Sequence, residues 1–515
     1  MSKKLYNLIK ALTPNEKGYF RKFSSMHVVG GENLYMKLFD SLNEMERYDK
    51  SLLPKIFRRK GKGNQLPAYT NYLFANILDA LKIYHARKTT EAEIRHLLLD
   101  VELLFAKGLY QEARKILAKA RDKANRSENL FLLVEIINWE EKIAKNDLDP
   151  QLMERIINTS HAERLKITDK LKTSLQYKWL HSRVIYLMIR IGQHIKGRDE
   201  LNKLEEIMRH PLLRAEKMAI SLYDKNTFYY IHALYNYIKR KQDIKKSIEY
   251  TQKRKALMED NIQYGAFDMN AYLSTFNNLM SSYMQTLEVK EYDKLVDDLK
   301  KMPERFGNKI GEKHENIRLA YINSAVLVRC FFTGEFEEGL SAVRGNETAW
   351  ENVQAKIGKA EVLVFYDHMR SLSFAVQDYK KALLWNNKIL NESSEEFKTD
   401  LYIIAMIWNI IIHYDMGNLQ LVESLTRSAL HAFYNEKKSH RFERLFLKNM
   451  QKILNAKNEE GIKGVFSAFK KELMALKKHT GELMEIDYIS YMAWLDSHIE
   501  HRKYSDVIRK YLPNK

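Results

Sequence analysis

Apolar side chains recur along the chain at intervals of three and four, the spacing that gathers them on one face of an α-helix. Leu34, Leu38, Leu42 and Met45 predict one such helix. The run Thr13-Pro14-Asn15-Glu16 predicts the start of another: Thr accepts from free amides, Pro suits the first helical position, and Glu three residues after the cap closes a capping box. That helix presents Tyr19, Phe20 and Phe23 among Lys17, Arg21 and Lys22. A longer helix from Pro67 to about His85 is expected to bury Tyr72, Ile77, Leu78, Leu81 and Ile83. The most apolar window, Leu401 to Tyr414, carries Asn409 and His413 within its 14 residues, short of the roughly 20 apolar residues a membrane span needs. It predicts a buried helix.

Composition points the same way. Nineteen Gly and seven Pro in 515 residues are less than half the average usage of about 12%, so turns are scarce and helices long. A single cysteine, Cys330, excludes a disulfide-stapled module, and its neighbours Val328, Phe331 and Phe332 predict a packed thiol. Lys10 and Glu16 interrupt the apolar stretch a secretion signal needs, which makes the cytoplasm the expected location.

Charge divides the chain. Lys and Arg number 85 against 66 Asp and Glu, a formal net charge of +19, of which residues 1–90 carry +10. The same segment holds Pro14, Gly30, Gly31, Pro54, Gly61, Gly63 and Pro67. Residues 1–90 therefore read as a small basic helical domain and residues 91–515 as a second domain.

The second domain repeats itself. The clearest unit is Leu97, Val101, Leu104, Gly108, Tyr110, Ala113, Leu117 and Ala120. The Gly turn, the large residue two positions later and the small residues spaced along the next helix resemble the tetratricopeptide repeat (TPR). Small side chains let two helices close to about 8–10 Å where they cross, a role for Ala113 and Ala120. The same register returns at Gly334, Phe336, Gly339 and Val343, at Gly417, Leu419, Val422, Thr426 and Ala429, and more weakly at Tyr292, Tyr379, Ile244 and Tyr504. Residues 244, 292, 336, 379 and 419 lie 40 to 48 apart, longer than the TPR period of 34, and a degenerate hairpin is expected around Gly197. The resemblance implies an all-α fold, a right-handed α-solenoid of about nine TPR-like helical hairpins, each leaning on its immediate neighbours, behind the N-terminal domain. Leu12 to Phe20 is also similar to the start of some bacterial solenoid proteins.

Catalytic signatures are missing from the sequence. Gly61-Lys62-Gly63-Asn64 lacks the glycine spacing and Ser/Thr of a phosphate-binding loop, no Gly-x-Ser-x-Gly elbow occurs, and one cysteine cannot build a thiolate zinc site. Histidines such as His181, His194, His210 and His232 are dispersed and read as capped or half-buried side chains. No catalytic, cofactor-binding or metal-binding residue is expected.

Two constellations remain. Lys55, Arg58, Arg59, Lys60 and Lys62 form a basic run between glycines, suited to phosphates or an acidic partner, although such a run is more often a solvated face. Tyr230, Tyr235, Tyr237 and Arg240 interleave aromatics with cations, suited to a stacking platform for single-stranded nucleic acid or, more naturally on stacked hairpins, to a peptide groove, although Tyr also fills thin helical cores. The expected function is a non-enzymatic scaffold or adaptor that binds a peptide or helix of a protein partner in a concave groove. The alternative is a nucleic-acid-binding regulator that uses the basic N-terminal domain. No membrane partner is expected.

Overall fold

A computed structural model describes residues 2–25, 34–49, 53, 66–86, 88–146, 150–191, 198–239, 243–307, 310–344, 357–392, 400–434, 441–479, 483 and 485–512. Among the described residues every regular element is helical, with 23 α-helices and no strand. The chain forms two compact units, Met1–Thr168 and Asp169–Lys515. The boundary expected at residue 90 lies inside the first unit.

The first unit contains α1 (Ser2–Ala11), α2 (Pro14–Ser25), α3 (Leu34–Glu44), α4 (Leu66–His85), α5 (Thr90–Ala106), α6 (Tyr110–Arg126) and α7 (Leu130–Ala144), and the start of α8 (Pro150–Ile191). Helices α1–α4 enclose a cluster of Leu5, Ile9, Phe20, Leu38, Leu42 and Ile77. The capping box at the start of α2 forms as expected: Thr13 N donates to Glu16 Oε2 at 2.8 Å, and Glu16 N to Thr13 Oγ1 at 3.2 Å. Helix α4 departs from expectation. It buries Thr70, Leu73, Ile77 and Ala80, while Tyr72, Leu78 and Ile83 face outward. Ile77 is buried as expected and Leu81 packs partly buried on the same cluster, while the smaller Thr70 and Ala80 complete the inward stripe.

Helix α5 packs on α6, and α6 on α7. The α5–α6 turn passes through Gly108 at φ 75°, with Leu109 N donating to Leu104 O at 3.0 Å, a left-handed stop that leaves a helix carbonyl satisfied. Ala113, Leu117 and Ala120 form the inner face of α6.

The second unit continues with α9 (Arg198–Met208), α10 (Leu222–Lys239), α11 (Ile244–Asn261), α12 (Met269–Thr286), α13 (Val289–Phe306), α14 (Glu312–Thr333), α15 (Phe336–Arg344), α16 (Lys359–Ala375), α17 (Tyr379–Glu392), α18 (Asp400–Asp415), α19 (Leu419–Tyr434), α20 (Arg441–Leu454), α21 (Glu459–His479), α22 (Glu485–Glu500) and α23 (Tyr504–Ile508). The recurring residues Tyr110, Ile244, Phe336, Tyr379, Leu419 and Tyr504 are each the first residue of a helix. Gly334 and Gly417, like Gly108, turn at positive φ. Gly339 is a true crossing residue: a Cβ there would lie 2.9 Å from both Cys330 Cβ and Leu372 Cδ1. Cys330 is buried, and burial pushes its thiol up, away from reactivity. Gly197 lies outside the described residues.

From α10 onward helices pack on their successors, but packing on neighbours alone does not describe this unit. Residues 489–497 of α22 are all buried, so the helix has no face for solvent and needs partners on every side. It touches α12, some two hundred residues earlier, as well as α21 and α23. Tyr491 meets Trp408 of α18 and Phe442 of α20 at ring-centroid distances of 5.8 and 4.6 Å, and Trp494 meets Phe466 of α21 at 5.4 Å. Asp415 accepts from Trp494 Nε1 at 3.2 Å and pairs with His498 Nε2 at 3.0 Å. Arg509 donates to Gly334 O at 3.0 and 3.2 Å, another contact across the sequence.

Candidate binding site

Part of the aromatic and cationic constellation is assembled where α8, α10, α11 and α12 meet in the second unit. Helix α10 begins at a reciprocal cap: Ser221 N donates to Asp224 Oδ2 at 3.2 Å, and Asp224 N to Ser221 Oγ at 3.0 Å. Ser174 Oγ of α8 donates to the same carboxylate at 2.6 Å, which pins the two helices together. The buried Tyr177 hydroxyl donates to Leu212 O at 2.7 Å, and the Tyr229 hydroxyl donates to Glu216 Oε1 at 2.6 Å. Burial first, with the adjacent carboxylates, pushes both phenols well above their ordinary range. They stay neutral donors.

Of the four groove residues named from sequence, Tyr230, Tyr235 and Tyr237 are half-buried on α10, and Arg240 lies outside the described residues. Tyr230 and Tyr237 are seven positions apart and share a face, whereas Tyr235 is turned from them by more than a third of a revolution. Tyr235 packs against the local apolar core with Lys239 Nζ 5.5 Å from its ring centroid. Tyr230 has the most elaborate surroundings. The Arg254 guanidinium of α11 lies 4.5 Å over its ring, and His181 of α8 flanks it with a centroid separation of 5.2 Å. Burial raises the Tyr230 phenol despite the opposing charge of Arg254.

The histidines act as packing and hydrogen-bonding groups. His232 stacks on Tyr250 at 4.8 Å and contacts Leu213 O through Nε2 at 3.0 Å. His210 Nδ1 accepts from Leu212 N at 3.3 Å. Burial lowers His181 and His232, so both are neutral at pH 7. His194 lies outside the described residues. Among the described residues no group of three or more His, Cys, Asp or Glu is placed to hold a metal ion.

A separate ionic network ties α11, α12 and α13 beside a cleft of about 300 Å3 lined by Glu259, Tyr272, Asp298 and Arg305. Glu259 accepts from Tyr272 at 2.6 Å and Arg305 at 2.8 Å and pairs with Lys255 at 3.0 Å. Lys255 also reaches Asp298 at 3.0 Å. Burial raises the Glu259 carboxyl, but its three partners outweigh that and hold it below the usual range.

The basic run Lys55, Arg58, Arg59, Lys60 and Lys62 lies outside the described residues. Elsewhere in the N-terminal segment, burial and then the charges of Lys10 and Arg21 push Lys17 below its ordinary range. Arg21 is countered by Asp40 at 2.7 Å.

Arg254 and His181 were not singled out by sequence reasoning as binding residues. Arg254 sits among Lys253, Lys255 and other cations of α11, and nothing in that run distinguishes the buried one. Among protein-family models, curated proteins and solved structures, none matches this chain.

Proposed function

We propose that the protein is a non-enzymatic interaction scaffold, a right-handed α-solenoid of TPR-like hairpins that binds a peptide or helix of a partner protein. The observation that carries this reading is α22. Nine consecutive buried residues of one helix are held by α12, α18, α20, α21 and α23, so the helical array already accommodates a helix by side-chain packing, the same mode a partner helix would use. Turns at Gly108, Gly334 and Gly417, with small residues at Ala113, Ala120 and Gly339, support repeated hairpins. Because α22 occupies the surroundings of α12, α18, α20 and α21, we assign the partner-binding face to the Tyr230 and Tyr237 side of α10.

Peptide display against the purified protein tests this. Enrichment of a common motif that disappears in the Tyr230→Ala/Tyr237→Ala variant supports the scaffold. No enrichment, or the same motif from both proteins, counts against it.

A second reading rests on the +10 charge of residues 1–90, felt at Lys17 through Lys10 and Arg21: the segment grips nucleic-acid phosphates. It requires binding at about 50 mM salt that weakens steeply with added salt and is lost when Lys55, Arg58, Arg59, Lys60 and Lys62 are all replaced by Ala.

A further inference from the structure

Three arginines of the described chain are buried, and their surroundings differ. Arg318, 7% exposed, forms a two-pronged pair with Glu315, Nε at 2.8 Å and Nη2 at 2.6 Å, and donates to Leu299 O. Arg370, 2% exposed, has Nη1 2.7 Å from Asp367 Oδ1, close enough for charge pairing though misaligned for a hydrogen bond. Arg254 is 5% exposed and has no carboxylate within pairing distance among the described residues. Its Nε donates to Asn226 Oδ1 at 2.9 Å and its Nη1 to Ser274 Oγ at 3.2 Å, and Tyr230 covers one face. All of these partners are neutral.

Removing a guanidinium from water without an opposing charge is costly, and here burial pushes Arg254 down to about 10. The cost has a visible remedy. Two of the five guanidinium N–H groups have acceptors; Nη2 has none, and it is absent from the side-chain nitrogens sealed from solvent without a partner. One end of the fork is therefore unsatisfied and keeps some contact with solvent. Asp268 acts on Arg254 only at longer range, because its carboxylate caps α12, Oδ1 accepting from Ala271 N at 2.7 Å.

We propose that Arg254, held by Asn226, Ser274 and Tyr230, is a carboxylate-binding site. A single guanidinium with one open end matches one negative charge, which a carboxylate supplies; a phosphate dianion would call for further cations. The assignment rests on the scaffold reading only for the source of the carboxylate, which there is an acidic side chain of the bound peptide. Next to α10, such a contact would fix the register of that peptide.

The test uses the full chain at constant ionic strength, with thermal unfolding and calorimetric titration as readouts. The probes are acetate, glutarate, inorganic phosphate, an acetylated Glu-containing decapeptide and its Gln counterpart. Carboxylate probes should raise the unfolding temperature with concentration, as a ligand selective for the folded state must, while matched chloride does not. Arg254→Met should abolish this response, and Arg254→Lys, which keeps the charge but loses the fork, should weaken binding about tenfold. No response to any carboxylate beyond that of chloride, an equal response in Arg254→Met, or tighter binding of phosphate than of glutarate overturns the site. If the Glu and Gln peptides bind equally and Arg254→Met retains both, the carboxylate site falls while the peptide surface stands. If acetate and glutarate act through Arg254 but neither peptide binds, the site stands and its peptide source falls.

Discussion

Residues 90–144 and residues 359–512 are both built of successive helices, yet they solve the burial problem differently. In the first, α6 packs between α5 and α7, and an outward face remains: Leu99, Leu103 and Phe131 are at least half exposed. Packing is thin there, and Ala113, Ala120 and Ala124 set how closely the helices approach. In the second, α22 lies among helices gathered from distant parts of the chain, with Trp494 and Tyr491 almost fully buried. A helix with one apolar stripe needs one or two neighbours, whereas a helix buried on every side draws in a shell of them that must also satisfy its polar groups, as Lys470 does for Asp496 at 2.6 Å. The difference teaches that a regular succession of helices along the chain does not by itself set how many partners each one gathers.

Four substitutions test that contrast. Trp494→Ala, at the centre of the second region, should cost about 3–5 kcal/mol, measured by chemical denaturation, with a loss below 1 kcal/mol refuting a central role for α22. Gly339→Ala places a methyl 2.9 Å from Cys330 and Leu372 and should cost about 1–3 kcal/mol. Gly108→Ala in the first region meets no atom within 4 Å, so only its positive φ is strained, at about 1–2 kcal/mol. A penalty equal to or above that of Gly339→Ala would show that turn strain dominates packing. Leu103→Gln on the exposed face of α5 should change stability by no more than about 0.5 kcal/mol.

The acid limb offers a smaller handle on the first region. A hydrogen bond from Arg164, at 2.8 Å, holds the Glu141 carboxyl below its ordinary range. A depressed native pKa stabilises the fold above the unfolded carboxylate pKa, and that gain is lost as pH falls through the native value. Glu141→Gln should therefore lower stability at neutral pH and flatten its fall between the ordinary carboxylate pKa and more acidic pH. An unchanged slope would show that Arg164 does not favour the ionised form.

Much of the local architecture was legible beforehand. The Thr13 cap, the turn glycines at 108, 334 and 417, and the helix starts at Tyr110, Ile244, Phe336, Tyr379, Leu419 and Tyr504 all depend on contacts within a few residues, which short patterns encode. Helix α4 was read correctly at Ile77 and in part at Leu81, but Tyr72, Leu78 and Ile83 lie outward while Thr70 and Ala80 lie inward, because size was weighed over position. The candidate site was legible only in part. Tyr230 stood out as an aromatic among cations, but the residue that lies over it, Arg254, is one of several similar cations on its own helix.

Periodicity, glycine placement and charge balance were enough to settle that the chain is helical and to mark where many of its helices begin, since backbone geometry and side-chain facing repeat every 3.6 residues. Tertiary packing alone decided that α22 would be enclosed, that Arg318 and Arg370 would meet carboxylates, and that Arg254 would not. Burial and charge pairing are properties of what several distant segments bring to one place, and no single stretch of chain carries them.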